Sequence, residues 1–477
     1  MNKSVVEYLK SQNIKVIDEN IETKIDIWRE WYKGKVDHFH NYKVYSGKKS
    51  ITIERKTLNM PAKVCQDWAD LLLNERVDIT VDDEYTQEVL NRLLKQVNFY
   101  VRGNNLIELA FALGGGFFIQ YWDGRKTNQK YVAQDMVYPI TFDSGRLTEV
   151  AFASSKTIAG KEYIYLETHM LDEQGYYVID NVLLETKGHE VSEVTENFYK
   201  VNNIVPKVLT NSKEPLFQQI RPNVANRDKF DSVFGTSVFS GAIDAFKSCD
   251  ICYDAYSKEI QLGKKKIFAK DSVTNVHMDP KTGETIQVFD PNDEVFYVLP
   301  GDLENDEKPI IECNMELRIP ALDQALQTQL NLISQLCGFG ANGYKWDSGN
   351  VSTATQVVSE NSKMFRTLKK HELVLNDAII DMAKGLLYIE SHFAGDSEIK
   401  LDASITVDFD DSIIEDTAEI KRQALTDYNI GLISKAEYFR QVYKMDEEQS
   451  ESFVQKMADD IATEQSLLSV VGEPEGA

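Results

Sequence analysis

The chain has 477 residues, 42% hydrophobic and 27% charged, which excludes a disordered polymer and leaves room for several domains. Its 52 Lys and Arg stand against 76 Asp and Glu, a formal net charge of −24. That balance excludes a protein that coats itself with nucleic acid, because phosphate neutralisation needs clustered cations. It permits an acidic passage that DNA traverses without sticking, and plain solubility is the blander reading of the same charge.

Five cysteines, Cys65, Cys249, Cys252, Cys313 and Cys337, are too sparse for a disulfide scaffold and point to a reducing compartment. The first twenty residues lack the apolar core of a signal peptide. No stretch reaches the roughly 18 apolar residues that a membrane span needs. A cytoplasm, or a particle assembled in one, is the expected setting.

In chain order, residues 21–42 carry Trp28, Trp31, Tyr32, Phe39 and Tyr42 among charges. They predict an amphipathic helix, then an extended stretch that turns at Ser46 and Gly47. Residues 49–54 alternate as a strand. Pro61 opens a helix carrying Val64, Trp68, Leu71 and Leu72, which ends near Asn74. Residues 77–81 alternate as a strand, and 84–113 read as a helical stretch ended by Gly114, Gly115 and Gly116. Strand patterns follow at 117–122, 148–154, 162–171 and 176–184, with Asp172, Gly175, Asp180 and Asn181 as turn residues. Together they predict an antiparallel meander.

A long helix is expected over 236–262, where Phe239, Ile243, Phe246, Tyr253, Tyr256 and Ile260 recur at helical spacing and Gly263 is placed as its stop. Residues 264–300 turn β again, with a hairpin of 273–278 and 285–289 about the turn at 279–283. Another helix spans 320–337, with Leu322, Leu326, Leu330, Ile333 and Leu336 on one side. Residues 338–352 form a loop rich in Gly, Asn and Ser. Thr353 and Gln356 then match a capping box. The helix behind it meets no Pro or Gly until Gly385, so it runs about 35 residues, or some 50 Å. A helix that long needs neighbours along its length, including other subunits. A strand at 403–409, an acidic segment at 408–416 and two or three short helices complete the chain, with a frayed tail after Glu464.

Several motifs invite chemistry and fail on context. Gly338, Gly340 and Gly343 fit G-x-G-x-x-G, but they follow a helix and lead into a loop, whereas a dinucleotide needs them between a strand and a helix N-terminus. Cys249 and Cys252 lie mid-helix with no second pair and no nearby His, so packing is favoured over zinc or redox chemistry. His38 and His40 share a face if extended, yet lack a third ligand. Asp408, Asp410 and Asp411 lack an EF-hand pattern and serve better as a helix cap. Lys264, Lys265 and Lys266 follow a helix C-terminus, where they complement the helix dipole or contact phosphate equally well. Lys345 and Trp346 sit in the Gly-rich loop with Asn342 and Asn350. An exposed Lys and Trp there can meet nucleic acid by charge and stacking, although composition favours a Trp that anchors the loop. No Walker A, H-E-x-x-H or G-x-S-x-G sequence occurs, and no cofactor is expected.

The order of several segments along the chain resembles the portal proteins of siphophages that infect Gram-positive bacteria. Leu58–Glu75 resembles a characteristic helix of that family, and Phe234–Phe239 with Ala242–Asp244 the entry to its stem. Thr353–Asn361 is the most specific segment, joined by Asp408–Ser412 and Gly431–Ser434. The resemblance covers almost the whole length. It implies an α+β portal-type fold. Its parts would be a wing over 1–230, a stem helix over 231–262, a clip over 263–310 and a second stem helix over 311–337. A tunnel loop, long helix and wing return would occupy 338–410, and an α-helical crown 411–477.

The resemblance further implies a non-enzymatic homo-oligomer, usually a dodecamer, at one capsid vertex of the virion. Double-stranded DNA would be packaged and ejected through it without sequence preference. The major capsid protein, scaffolding protein, terminase and head-tail adaptor would be its partners, with no membrane, and assembly would occur in the host cytoplasm. The tunnel loop would present Asn342, Lys345, Trp346 and Asn350 to DNA, and Lys264, Lys265 and Lys266 would mark the clip. Two other readings stand beside this one. One is an adaptor or scaffold of another phage-like assembly without DNA passage. The other is a nucleotide-dependent enzyme built on the Gly338 loop.

Overall fold

The computed structural model describes residues 3–46, 49–74, 77–187, 190–201, 204–229, 231–263, 266–270, 277–278, 281–283, 285–286, 296–299, 310–313, 316–341, 343–345, 354–409, 417–443, 445–447 and 449–457. The first helix, α1 (Lys3–Ser11), has no counterpart in the predicted elements. It buries Val5 and Leu9 against Tyr138, Ala151, Leu166 and Leu184 of the meander described below. Helix α2 (Ile21–Tyr32) buries Ile25, Trp28 and Trp31, as its spacing predicts. A single helical turn, α3 (Asp37–His40), precedes a hairpin of β1 (Asn41–Ser46) and β2 (Lys49–Glu54). Helix α4 (Met60–Leu72) carries Pro61 in its first turn, where the missing N–H costs nothing. Strand β3 (Asp78–Val81) follows.

The predicted helical stretch over 84–113 is two helices, α5 (Glu84–Gln96) and α6 (Phe99–Leu113). Asn98 breaks them by adopting a left-handed φ of 53°, a conformation that Asn tolerates better than most residues. Asp83 caps α5, its carboxylate accepting from Thr86 N at 3.0 Å.

Strands β4 (Gly116–Trp122) and β5 (Thr127–Ala133) pair antiparallel. The meander is β6 (Val137–Asp143), β7 (Arg146–Ile158), β8 (Lys161–Leu171), β9 (Tyr177–Lys187) and β10 (Glu190–Glu193), every neighbour antiparallel. After the short α7 (Glu196–Val201), β11 (Lys207–Leu209) adds to β9, and β12 (Phe217–Ile220) joins the other edge of β4. Asp180 and Asn181, read as turn residues, lie inside β9. The Asn181 side chain accepts from Tyr165 Oη at 2.6 Å and donates to Val205 O at 2.9 Å, which makes a polar residue tolerable there.

Helix α8 (Ile243–Leu262) begins seven residues after the predicted start at 236. The intervening residues bond to α6 instead: Val238 N donates to Phe111 O at 2.9 Å and Ser237 Oγ to the same carbonyl at 3.2 Å. Gly263 does end α8, but for space and not for a left-handed turn. Its φ is −78°, and a Cβ there would lie 2.0 Å from Leu317 Cδ2.

Between α8 and the next helix lies a small β module: β13 (Lys266–Lys270), β14 (His277–Met278), β15 (Thr285–Ile286), β16 (Phe296–Leu299) and β17 (Ile310–Cys313). β13 sits centrally, parallel to β16 and antiparallel to β17. The expected hairpin is present in β14 and β15, with His277 opposite Ile286 and Met278 opposite Thr285; the rest of its predicted strands lies outside the described residues.

Helix α9 (Ile319–Leu336) buries Leu326, Leu330 and Ile333. Leu336, expected on the same side, is 55% exposed. Helix α10 (Ala354–Ile389) is 36 residues long, in agreement with the predicted length, and passes straight through Gly385. A Cβ at that glycine would meet Gln120 Oε1 at 2.7 Å, so helix and sheet approach more closely than alanine allows. A π-turn (Glu390–Ala394) closes α10, and Gly395 caps it at φ 83°. Strand β18 (Ile405–Asp408) returns to pair with β3. Helices α11 (Thr417–Asn429) and α12 (Lys435–Tyr443) and a helical stretch at 449–457 complete the described chain. The capping box at Thr353, the carboxylates Asp410 and Asp411 and the tail after Glu464 lie outside the described residues.

Candidate functional site

The loop joining α9 to α10 is the place where the sequence concentrates its candidates, and its root is firmly built. The buried stripe of α9 ends at Cys337, and Gly338 and Gly340, at φ 96° and 89°, reverse the chain. A side chain at 338 would lie 2.8 Å from Thr367 Cγ2 and 3.2 Å from Trp68 Cζ2. Trp68, from α4, is fully buried; its Nε1–H donates to Cys337 O at 3.0 Å. Its ring stacks on Phe339 with centroids 4.4 Å apart, and Phe339 in turn meets Tyr344 at 5.4 Å.

Polar contacts complete the root. Gly343 N donates to the buried Ser334 Oγ at 3.0 Å, and Gln327 Nε2 to Tyr344 O at 3.2 Å. Lys363 of α10 reaches Gln335 O at 3.3 Å, placing a cation at the C-terminal end of α9, where the helix dipole favours it. His371 of α10 packs edge-on against Trp68 at 5.0 Å and Phe111 at 4.9 Å. Its Nδ1 accepts from Asn223 N at 3.0 Å. Burial, helped by Lys370, pushes its pKa down to about 4, so the ring is neutral at pH 7.

This arrangement fixes a turn and offers no reactive group. Burial raises the Cys337 thiol to about 12 and the neighbouring Cys65 well above its ordinary value, so neither is a thiolate. The Gly343 N–H is already engaged by Ser334, and the three glycines follow the C-terminal end of α9. Of the loop residues predicted to meet DNA, Lys345 is described and exposed, just beyond the anchored turn. Asn342, Trp346 and Asn350 lie outside the described residues.

Beyond the root, the exposed stripe of α10 presents Lys363, Arg366, Lys370 and Leu373, three cations and one apolar side chain. Arg366, Lys369, Lys370, Leu373 and Phe409 line a shallow groove of about 450 Å³, where Lys369 pairs with Glu372 at 3.0 Å. The opposite end of α10 is fastened to the rest of the chain. Arg92 and Thr127 hold the Glu390 carboxylate at 2.8 and 2.5 Å, and Tyr388 Oη donates to Thr210 O at 3.0 Å.

Helices α8 and α9 pack against each other and flank the β module. Arg318 grips the Glu259 carboxylate through its side chain, at 2.8 and 3.2 Å, and through its backbone N–H, at 3.1 Å. Those bonds hold the Glu259 pKa at about 2. Asp250 and Asp254 of α8 accept from Leu58 N at 3.0 Å and Lys56 N at 3.4 Å, strapping the preceding loop onto the helix.

The helical turn of α3 parts the two histidines expected on one face. His38 is exposed, and His40 is buried. Nδ1 of His40 accepts from Val36 N at 2.9 Å, which leaves Nε2–H to donate to Asp250 Oδ2 at 3.2 Å. Cys249 and Cys252 lie on α8 as free thiols, both raised by burial. Lys266 is half-buried on β13; Lys264 and Lys265 lie outside the described residues. Among the described residues no group of three or more His, Cys, Asp or Glu is placed to hold a metal ion, and no helix is long and apolar enough to cross a membrane.

Two helices thus flank a small β module, and a glycine turn packed on Trp68 and Thr367 follows the second of them. The family described as phage portal protein, SPP1 Gp6-like, matches residues 12–467. The chain belongs to that family. As a phage portal protein it is a structural part of the virion capsid, a ring through which the double-stranded genome is packaged and ejected. No curated protein matches the chain. The family is structural and non-enzymatic.

Sequence reasoning placed the loop but missed what holds it: Trp68, Ser334, Gln327, Lys363 and His371. Trp68 lies 269 residues from its carbonyl partner, and no local pattern signals such a bond. The signal available was Leu58–Glu75, singled out as a family helix without a reason for its tryptophan.

Proposed function

We infer that the α9–α10 loop projects into the central channel of a ring of twelve subunits and that DNA slides past it. The observation that carries this is the anchored turn. Trp68, Phe339 and Ser334 fix residues 337–343, so the chain beyond them has a fixed origin and direction, with Lys345 as its first exposed cation. Asn342, Lys345, Trp346 and Asn350 would form the channel surface of the loop, and Lys264, Lys265 and Lys266 a basic mark on the clip.

In this reading residues 1–230 and 338–410 make the wing, 231–262 and 311–337 the stem, 263–310 the clip and 411–477 the crown. The action is passive. A terminase motor docked on the ring supplies the energy, and head-tail adaptors later seal the exit. The major capsid protein and scaffolding protein hold the ring at its vertex, after assembly in the host cytoplasm. Twelve copies multiply a charge of −24 per chain, so the passage repels phosphate and a few lysines grip it transiently.

The test is binding of the assembled ring to short duplexes of several sequences over a salt series. The expected result is weak, salt-sensitive binding without sequence preference, weakened further by Lys345→Glu. Nanomolar, sequence-specific binding by a single subunit would overturn this reading.

A further inference from the structure

The hairpin of β1 and β2 differs in kind from the rest of the molecule. It is a two-stranded ribbon whose outer edges have no strand partner among the described residues. Such a ribbon is marginal in water unless something covers a face. Only its base is held: Tyr42 Oη lies 3.5 Å from Asp254 Oδ2 of α8, and the Arg55 guanidinium covers the Tyr42 ring at 5.0 Å.

The register puts Tyr42, Val44, Ile51 and Ile53 on one face. The inner pair, Tyr42 and Ile53, is half-buried, but the outer pair, Val44 opposite Ile51, is 37% and 50% exposed. Tyr45, on the other face, is 81% exposed. The described residues from 41 to 56 carry Lys43, Lys49, Arg55 and Lys56 against the single carboxylate of Glu54, in a chain of net charge −24. No ion pair to Lys43, Lys49 or Lys56 occurs among the described residues.

We propose that this hairpin is an intersubunit arm, whose outer half (Lys43, Val44, Tyr45, Lys49 and Ile51) docks on an acidic surface of the adjacent copy in the ring. The inference rests on the ring assembly that membership of the family brings. Charge complementarity selects the occupant: a cationic arm on an acidic chain is attracted to every other copy of that chain and steered toward it. DNA offers anions too, but phosphate leaves the Val44–Ile51 pair uncovered, whereas a protein surface buries it and also satisfies the open strand edges. An arm on one flank and its receptor on the other make a heterologous contact, the kind that closes rings.

The experiment uses the full chain. A photoreactive benzophenone side chain in place of Tyr45 is irradiated in assembled rings with and without duplex DNA. Two double variants, Val44→Asp with Ile51→Asp and Lys43→Glu with Lys49→Glu, are followed by sedimentation over a range of chain concentrations. The second pair changes only exposed side chains, so the monomer keeps its fold and melting temperature. Cross-links to a second chain are expected, with half-assembly requiring at least about tenfold more chain in each variant. Wild-type ring stability in both variants, or cross-links to DNA alone, would overturn the arm and leave the ring standing. A wild-type chain that stays monomeric would overturn both.

Discussion

The two ends of α10 obey different rules. From Leu375 to Ile389 the inner face of the helix packs on its own chain: Leu375, Ile379, Met382, Ala383, Leu386 and Ile389 are buried, Gly385 lets β4 come close, and Asp377, Asp381 and Lys384 lie outside. From Lys363 to Leu373 the outer stripe faces away from the chain, and Leu373 is 69% exposed. Both ends bury an inner face, Leu368 and His371 included, but the outer stripe of one carries cations and Leu373 where the other carries Asp377, Asp381 and Lys384. The contrast recurs in α8, whose first turns bury Phe246 and Cys249 while Ile260 and Leu262 near its C-terminus are exposed.

A matched pair of truncations on α10 tests that difference with the largest expected effect. Leu386→Ala, on the buried inner face, should cost about 2–5 kcal/mol and lower the melting temperature of the monomer. Leu373→Ala should change monomer stability by no more than about 0.5 kcal/mol. Equal losses would show that the two ends do not differ.

Two buried ionisable groups give the next test. The folded protein holds His371 at a pKa of about 4, below its ordinary 6.5, so the unfolded chain binds the proton more readily. Stability from this group is present above pH 6.5 and falls by about 1.4 kcal/mol per unit until pH reaches about 4. Glu167 acts lower down. Burial alone would raise its pKa, but Lys130 and His169 override that and hold it at about 2, so its contribution disappears as pH falls from 4.5 toward 2. Denaturant melts between pH 7 and 3 should show both windows, and His371→Gln should remove the upper one.

Smaller effects test the loop root. Gly338→Ala forces a side chain into a φ of 96° and against Thr367, a cost of about 1–3 kcal/mol that thermal melting reads directly. Lys345→Ala, just past the anchored turn, should leave the melting temperature unchanged within about 0.5 kcal/mol of stability and weaken DNA binding by the ring.

Periodicity made most of this fold legible. The length of α10, the stripes of α2 and α9 and the antiparallel meander all follow from spacing that a single sequence displays. Where reading failed, a distant partner had overridden a local signal. The start of α8 moved because Ser237 and Val238 bond to Phe111, and α5 and α6 separate at one left-handed asparagine. β5, rich in Thr, Asn, Gln and Lys, hid as a polar stretch because its buried Thr127 hydroxyl bonds to Glu390, far along the chain. The candidate site divides the same way. Its glycines announced a sharp turn, whereas the Trp68, Ser334 and His371 contacts that fix the turn are tertiary and left no local trace.

In the proposed assembly, identical chains close into a ring with the α9–α10 loops around its hole. Electron microscopy of the purified full chain tests this most directly. The expected image is a closed ring with a channel wide enough for duplex DNA and the Trp68-anchored turns at the channel wall. A closed particle without a central passage, or a ring with those turns on its outer rim, would contradict it.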